Sequence, residues 1–106
     1  MAKSTLGELE ELVLLAILRV GQDAYGVPII EELAERAGRR VAPAAVYVTL
    51  RRLEGAGLIG SRLEDPARGK PRRFVRLTPR ALELLRASRS ARLRMCDGLD
   101  PLLGEP

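Results

Sequence analysis

The segment PAAVYVTLRRLEGAGLIGSRLEDPARGKPRRFVRLT, residues 43–78, sets an arginine-bearing helix beside an arginine-rich hairpin. Its first part, residues 43–56, has Val46, Leu50 and Leu53 at the i, i+4, i+7 spacing that puts three apolar side chains on one helical face. Pro43 suits the first turn of such a helix, because proline lacks the N–H that would be unpaired there. The pattern therefore predicts an amphipathic helix that packs one face on a core.

The opposite face of this helix has a composition suited to nucleic acid. At about 100° per residue, Ala44, Val48 and Arg51 fall on that face, and Tyr47 and Arg52 flank it. Small residues, an aromatic hydroxyl and two guanidinium groups make a surface that can enter a groove and form hydrogen bonds there. We predict DNA contacts from Tyr47, Arg51 and Arg52.

Each of these side chains also has an ordinary structural explanation. Arg51 and Arg52 fit a solvated helix surface, and Arg52 can pair with nearby acids such as Glu54 or Glu64. Tyr47 fits a partly buried position that covers the base of the hairpin.

A hairpin is predicted directly after this helix. Residues 58–64 and 72–78 read as strands, and residues 65–71 carry two prolines and one glycine between them, as a hairpin tip would. Arginines at such a tip can follow the phosphates or enter a narrow minor groove, where the negative potential is enhanced. We predict DNA contacts here from Arg68, Lys70, Arg72 and Arg73.

The N-terminal helix, predicted over residues 6–20, has more apolar surface than one core can cover. Leu6, Leu9 and Val13 share one face, and residues 12–18 are apolar nearly all round. One side can lie on the domain core, and a second subunit is the simplest cover for the other.

Two further helices complete the predicted order. The second begins close to Tyr25, because Pro28 is tolerated only near a first turn, and Gly38 stands where a glycine would stop it. Its short link to the next helix fits helix-turn-helix geometry. The last helix begins with Thr78 as N-cap and Pro79 as first residue, and runs to about Met95, with a short tail after it.

Leucines along the last helix belong either to the core or to a subunit interface. Leu82 and Leu85 lie near its start, where the sequence does not separate the two roles. Leu93 lies far along the helix from the winged core, so we assign it to the partner.

Composition sets the class of protein. The chain has 106 residues, of which 46% are hydrophobic and only 3% aromatic, so we expect one domain with a core of Leu, Val, Ile and Ala. The predicted fold class is mainly α with a small β-hairpin. We find no stretch that is apolar enough for a membrane span and no signal-peptide pattern, and therefore expect a cytoplasmic location.

The residue inventory argues against an enzyme. The chain has no histidine and a single cysteine, Cys96, so it offers neither a metal-ligand cluster nor a Cys-His nucleophile. We predict no cofactor and no metal, and we expect Cys96 to fill space in the interior or at an interface.

Charge is distributed unevenly along the chain. Residues 1–38 carry three basic and seven acidic groups, whereas residues 39–94 carry fifteen basic and four acidic groups. Clustering of this kind indicates a polyanionic partner more strongly than the net charge of +4 does.

This order of elements, with the residues it carries, resembles the PadR family of winged-helix transcriptional regulators from about Leu9 to Leu85. The matching pieces are DAYGVPI at the second helix, AVYVTLRRLEGAGLI through the third helix into the strand, and RRFVRLT before the last helix. The chain departs from the commonest pattern at Val48, where proline is usual. Its short region after Leu85 is similar to that of the compact subclass with one C-terminal helix.

The resemblance implies a division of the chain into a winged helix-turn-helix DNA-binding region (1–78), a C-terminal dimerisation helix (79–96) and a short tail (97–106). It also implies a homodimer that binds operator DNA, in most members as a repressor. The first and last helices would form the interface, for which we predict Leu6, Leu9, Val13, Leu82, Leu85 and Leu93.

The function predicted from residues and resemblance together is a sequence-specific regulator that binds a pseudo-palindromic site on double-stranded DNA. An effector molecule is left unspecified. The alternative is a winged-helix module that binds RNA or another protein, since a fold does not fix a function. RNA recognition usually relies on exposed aromatic residues, and the chain has only Tyr25, Tyr47 and Phe74, which favours DNA.

Overall fold

The computed structural model describes residues 6–64 and 69–104. Within these ranges the elements are α1 (Glu8–Val20), α2 (Gly26–Glu35), α3 (Pro43–Gly55), β1 (Ile59–Glu64), β2 (Arg72–Leu77), α4 (Pro79–Cys96) and α5 (Asp100–Leu103). β1 and β2 form a two-stranded antiparallel sheet. The predicted fold class, mainly α with a small hairpin, is confirmed. No helix in the described ranges is long and apolar enough to cross a membrane.

The core is built from aliphatic side chains, as the composition predicted. Val46, Leu50 and Leu53 of α3 are all buried, so the predicted inner face of this helix is confirmed. They pack with buried residues of the other elements: Val13, Leu14 and Ile17 of α1, Ile29 and Leu33 of α2, and Val75 of β2. Removal of this apolar surface from water is the main force that holds the three helices together.

A left-handed glycine ends α3 and turns the chain into the hairpin. Gly57 has φ +75°, a conformation that residues other than glycine rarely adopt. The N–H groups of Gly57 and Leu58 donate to the carbonyls of Glu54 (3.0 Å) and Leu53 (2.9 Å), which is the Schellman arrangement. Leu53 and Leu58, which flank this turn, are both buried. α3 therefore ends at Gly55, within one residue of the boundary that the sequence predicts.

The β1–β2 hairpin, called the wing below, is anchored at one edge to the start of α2. Ser61 pairs with Val75 in the antiparallel register, and the N–H of Val75 donates to the carbonyl oxygen of Ala24 (2.9 Å). Val75 is buried while Arg76 next to it is exposed, as the period of two predicted. The wing is thereby fixed to the segment that leads into α2.

Thr78 joins the wing to the last helix and to the end of α3. Its hydroxyl accepts the N–H of Ala81 (3.4 Å), which confirms it as the N-cap of α4, and donates to the carbonyl of Gly57 (2.8 Å). Its backbone N–H donates to the carbonyl of Leu58 (3.0 Å). One residue thus ties together the ends of three elements.

The predicted boundaries differ from the structure by more than one residue at three places. α1 begins at Glu8 and not at Leu6, because the N–H of Gly7 is taken by the Glu10 carboxylate (2.7 Å) at the helix start. α2 ends at Glu35, three residues before Gly38. The region after residue 96 is predicted to be a loose tail, but it forms the one-turn helix α5.

Cys96 does not lie in the interior of the chain. It is exposed at the last position of α4, so the prediction that it fills space inside the protein is wrong for the single chain. The alternative, a place at an interface, stays a prediction.

Candidate nucleic-acid interface

The outer face of α3 is open to solvent. Ala44, Val48, Arg51 and Arg52 are all exposed, because the inner positions Val46, Leu50 and Leu53 hold the opposite face against the core. A helix with small residues at its start and arginines in its later turns is thereby presented outward, in the orientation that a recognition helix requires.

Arg51 and Arg52 are unengaged in the described part of the chain. Neither side chain forms an ion pair or a hydrogen bond there. The pairing of Arg52 with Glu54 or Glu64, considered from the sequence, is not formed, because Ser61 donates to Glu54 (2.7 Å) and Arg62 to Glu64 (3.2 Å). Both guanidinium groups therefore keep all their donors for a ligand.

Tyr47 packs against the first residue of α2 while keeping part of its ring exposed. The side chain is 44% exposed, yet a Cβ on Gly26 would lie only 2.6 Å from Cζ of Tyr47 and would overlap its hydroxyl. α2 and α3 approach closely here because residue 26 is glycine. Tyr47 thus has the outward position predicted for a DNA contact and is also partly buried. Its hydroxyl lies beside α2.

On the outer side of the wing, two aromatic rings in mutual contact are each covered by an arginine. The guanidinium of Arg72 lies over the Tyr25 ring (4.9 Å to the centroid), and that of Arg62 lies over Phe74 (4.8 Å). The two rings meet edge to face at 5.7 Å. These contacts hold Arg72 in place while leaving its charge exposed.

On the other side of the wing, Arg73 points toward α3. It donates to the hydroxyl of Ser61 (3.1 Å), which in turn donates to the carboxylate of Glu54 on α3 (2.7 Å). This chain of hydrogen bonds links the wing to the last turn of the candidate recognition helix.

A cleft of about 250 Å³ brings the two basic elements together. Tyr47 and Arg51 of α3 and Arg73 of β2 line it, and Glu54 contributes the one acidic group of its lining. Three residues that the sequence predicts to contact DNA, from two separate elements, therefore share one surface depression.

Two further residues of the predicted wing set are Lys70 and Arg68. Lys70 is exposed just before β2. Arg68 lies outside the described residues, so its predicted contact stays a prediction.

Glu54 is a functional candidate that the sequence pattern marks only as a partner for Arg52. Its carboxylate lines the same cleft as Arg51 and Arg73, where a phosphate would meet a like charge. The signal available in the sequence was an acidic residue three positions after Arg51, one turn along the same helix.

The six predicted interface residues fall into three groups. Val13 is completely buried and Leu85 is 7% exposed, so both belong to the core of the single chain and have little surface to offer a partner. This corrects their assignment to an interface. Leu93 is 59% exposed, as an interface residue would be in an isolated chain. The half-buried group comprises Leu6, Leu9 and Leu82.

Two other residues on α1 carry the uncovered apolar surface. Leu15 and Leu18 are exposed although the helix around them is packed, because α1 is apolar on more sides than the chain covers. The run from residue 12 to residue 18 held this signal, but only a structure shows which of its leucines point outward.

A buried carboxylate fixes α4 on α1. Glu11, which is nearly buried, accepts a hydrogen bond from Ser88 (3.0 Å) and pairs with Arg92 (3.5 Å). The hydrogen bond and the charge offset the cost of burying this group. The sequence around Glu11 did not indicate that this carboxylate would be buried against α4.

The comparisons with known proteins agree on one family. Residues 14–87 match the family described as "Transcriptional regulator PadR-like family". A comparison with curated protein sequences gives no match.

The chain is also similar to solved structures. A PadR family transcriptional regulator from Eggerthella lenta is 32% identical, with a TM-score of 0.70 over 93% of this chain and 88% of that one. A PadR family regulator from Clostridium difficile has a TM-score of 0.75 at 21% identity, over 92% of this chain and 98% of that one.

Bacillus subtilis PadR, solved in complex with operator DNA, has a TM-score of 0.65 at 20% identity, over 76% of this chain and 46% of that one. At that identity the likeness concerns the winged-helix fold. The family match covers most of the chain and agrees with the E. lenta likeness in sequence and structure. This chain therefore belongs to the PadR-like family of transcriptional regulators.

Proposed function

We propose that the chain acts in the cytoplasm as a homodimeric repressor that binds a pseudo-palindromic operator. The observation that carries the proposal is the shared cleft, which Arg51 of the exposed α3 face and Arg73 of the wing both line. A helix that carries unengaged guanidinium groups, beside a basic hairpin, matches what a DNA groove and its flanking phosphates require.

The two elements have different tasks in this proposal. α3 lies in the major groove, where Arg51 and Arg52 donate to base edges or nearby phosphates and Tyr47 contacts the groove wall. The wing follows the backbone through Lys70, Arg72 and Arg73, and Arg68 stays among the residues that the sequence predicts to contact DNA. Only the contacts of α3 distinguish one DNA sequence from another. The contacts of the wing supply affinity that falls as the salt concentration rises.

The uncovered surface of α1 and α4 supports a dimer. Leu15, Leu18 and Leu93 are exposed and line one cleft between these helices, so a second copy would remove them from water. In a two-fold dimer the two α3 helices meet two half-sites about one helical turn, or a multiple of it, apart. The fold shared with B. subtilis PadR, which is solved on operator DNA, is in keeping with this arrangement.

The test is binding to DNA taken from upstream of the protein's own gene, and to duplexes selected from a random pool. We expect a mobility shift that a roughly 100-fold excess of bulk DNA does not abolish, because specific sites outcompete non-specific ones by at least about 10³. A footprint on the selected site should show two symmetric halves. Equal binding to every duplex, or preferential binding to an RNA of the same sequence, would contradict the proposal. Derepression of a reporter when the gene is deleted would establish the repressor role.

The contribution of the wing can be measured from the salt dependence. Arg72→Ala with Arg73→Ala should flatten the plot of log affinity against log salt by about one unit for each lost phosphate contact. The matched control is Arg80→Ala with Arg94→Ala, which removes the same charge from exposed positions of α4 outside the cleft between α1 and α4. An unchanged slope in the wing variant would exclude these arginines from the phosphate contacts.

A further inference from the structure

The acidic residue of the cleft, Glu54, lies near two arginines and pairs with neither. Arg51 precedes it by three positions on α3, a spacing at which opposite charges can pair on a helix. Arg73 of the wing lines the same cleft. In the described part of the chain Glu54 forms no ion pair, and its carboxylate accepts a hydrogen bond from Ser61 (2.7 Å). A neutral hydroxyl therefore stands where a guanidinium group could bind.

Ser61 lies between the two opposite charges of the cleft. Its hydroxyl donates to Oε2 of Glu54 (2.7 Å) and accepts an N–H from Nη1 of Arg73 (3.1 Å). A hydroxyl can do both at once, because it has one donor and two acceptor lone pairs. Since both groups reach the same oxygen, a small side-chain rotation would bring the carboxylate and the guanidinium into direct contact. The hydroxyl keeps them close together but unpaired.

The sheet fixes the position of Ser61 independently of these charges. Ser61 pairs with Val75 in the antiparallel register, and the N–H of Val75 donates to the carbonyl of Ala24 (2.9 Å). Val75 is buried and Ser61 is half-buried. Arg73 follows the same face of β2 as Val75, because residues two apart on a strand point to one side. The hydroxyl is thereby held in place before either charged group binds it.

This arrangement affects how a phosphate is received at the cleft. If Glu54 were paired directly with Arg73, a phosphate would have to displace the carboxylate and would then meet its negative charge. With Ser61 between them, Arg73 keeps its other N–H donors for the phosphate. Glu54 meanwhile keeps a hydrogen bond to its own ionised group, which is stronger than one between neutral groups.

We infer that Ser61 is a positioning residue of the DNA interface. Its hydroxyl keeps Glu54 from pairing with Arg73, so that the wing cation stays available to a phosphate. The inference rests on the proposed function, and it assigns a task to a residue outside the set predicted to contact DNA.

The first test compares Ser61→Val with Ser61→Thr. Valine and threonine have nearly the same shape and both favour strands, so the two variants differ mainly in the hydroxyl. We expect the threonine variant to bind DNA as the unchanged chain does. The valine variant should bind both the operator and a shuffled duplex about two- to fivefold more weakly at low salt, because DNA must then break an exposed ion pair. Fluorescence anisotropy measures the binding.

A second variant guards against a defect of folding. Ser61→Ala removes the hydroxyl without adding bulk, and it should weaken binding as the valine variant does. Circular dichroism and urea unfolding check that all three variants keep the fold of the unchanged chain. An alanine variant that is folded and binds as tightly as the threonine variant would overturn the inference.

The second test repeats the comparison in a Glu54→Gln background. Glutamine leaves an oxygen for residue 61 but carries no charge, so it cannot form the ion pair with Arg73. The difference between the valine and threonine variants should then vanish, which a double-mutant cycle detects as coupling between positions 54 and 61. An undiminished difference would show that Ser61 acts only by holding Arg73 or by shaping the strand, and would overturn the inference.

The third test identifies the cation that the freed carboxylate binds. In an Arg73→Gln background, the difference between the valine and threonine variants should again vanish. A loss that persists there, and only on the operator, would place the carboxylate of Glu54 on Arg51 and overturn the assignment to Arg73.

The outcomes separate this inference from the proposed function. An unchanged chain that prefers its operator, together with valine and threonine variants of equal affinity, would overturn the role of Ser61 alone. An unchanged chain that binds every duplex equally would contradict the proposed function, whatever the variants at position 61 do.

Discussion

The two arginine-bearing elements of the interface differ in how their side chains are held. On α3, Arg51 and Arg52 make no polar contact within the described residues. On the wing, Arg72 lies over Tyr25 and Arg73 is hydrogen-bonded to Ser61. One element presents cations without polar partners on a rigid helix, and the other presents fixed cations on a hairpin.

This difference corresponds to two ways of meeting DNA. An unengaged arginine loses rotamer freedom when it binds. All of its N–H donors are available for hydrogen bonds to a base edge, and such bonds discriminate between bases. An arginine already held by a ring or a hydroxyl loses less freedom, and a phosphate requires only that the charge be in place. In the proposed function, the wing would therefore supply affinity and α3 would supply discrimination between DNA sequences.

The largest expected effect comes from disturbing Tyr47, the predicted DNA contact on α3 that packs against α2. Gly26→Ala puts a methyl group into the Tyr47 ring, and overpacking of this kind costs about 1–3 kcal/mol of unfolding free energy. The replacement should also turn α3 relative to α2 and so weaken operator binding. Urea unfolding and binding titrations measure the two effects.

Two variants control this experiment. Gly55→Ala, at a helical glycine with no neighbour within 4 Å, should be neutral or stabilising. Tyr47→Ala in the Gly26→Ala background should cost less than the two single changes added together, since the clash is then absent. Strict additivity would show that the Gly26–Tyr47 contact does not set the approach of the helices.

Replacement of an arginine that has no polar partner in the described residues should reduce the discrimination between operator and other DNA. We expect Arg51→Ala to weaken operator binding by about 1–3 kcal/mol and to weaken binding to a shuffled duplex much less. Arg73→Ala, the wing counterpart, should weaken both by similar factors. Fluorescence anisotropy on the two duplexes measures this, and an equal loss on both for Arg51→Ala would mean that Arg51 contacts only phosphate.

A smaller effect is expected when the support of a held arginine is removed and its charge is kept. Tyr25→Leu removes the ring beneath Arg72, and a cation–π contact at an exposed site contributes about 0.5–1 kcal/mol. DNA affinity should fall about two- to fivefold while the salt slope is unchanged, because no charge is lost. Tyr25→Phe keeps the ring and should bind as the unchanged chain does.

The smallest expected effect concerns Glu54, the acidic residue at the cleft that α3 and the wing share. Glu54→Gln removes a negative charge from the cleft but leaves an oxygen for Ser61, so non-specific DNA affinity should rise about twofold at low salt. The gain should vanish at about 1 M salt, where screening acts over about 3 Å. Glu83→Gln on α4 is the matched control, and an equal gain there would mean that Glu54 acts only through net charge.

The local features of the fold were predictable from the sequence. The spacing of Val46, Leu50 and Leu53 defines an inner helical face in any context, and Thr78 with Pro79 is a helix start whatever follows. The turn that ends α3 is equally local, because it depends on the φ angle of Gly57 alone.

Features that depend on distant partners were not predictable. The position of the Tyr47 hydroxyl depends on Gly26, which belongs to another helix, and the burial of Glu11 follows from Ser88 and Arg92. Val13 and Leu85 match an interface pattern as well as a core pattern, since both roles require the same apolar periodicity.

The joint at Thr78 has a mechanical consequence. Its hydroxyl and N–H bind the carbonyls of Gly57 and Leu58, so the base of α4 cannot swing without also moving the end of α3. α4 has 18 residues and is about 27 Å long at about 1.5 Å per residue, and one degree of rotation at its base moves its far end by about 0.5 Å. In the proposed dimer, a rotation at Thr78 would change the distance between the two α3 helices, so we expect Thr78→Val to widen the range of half-site spacings that the protein accepts.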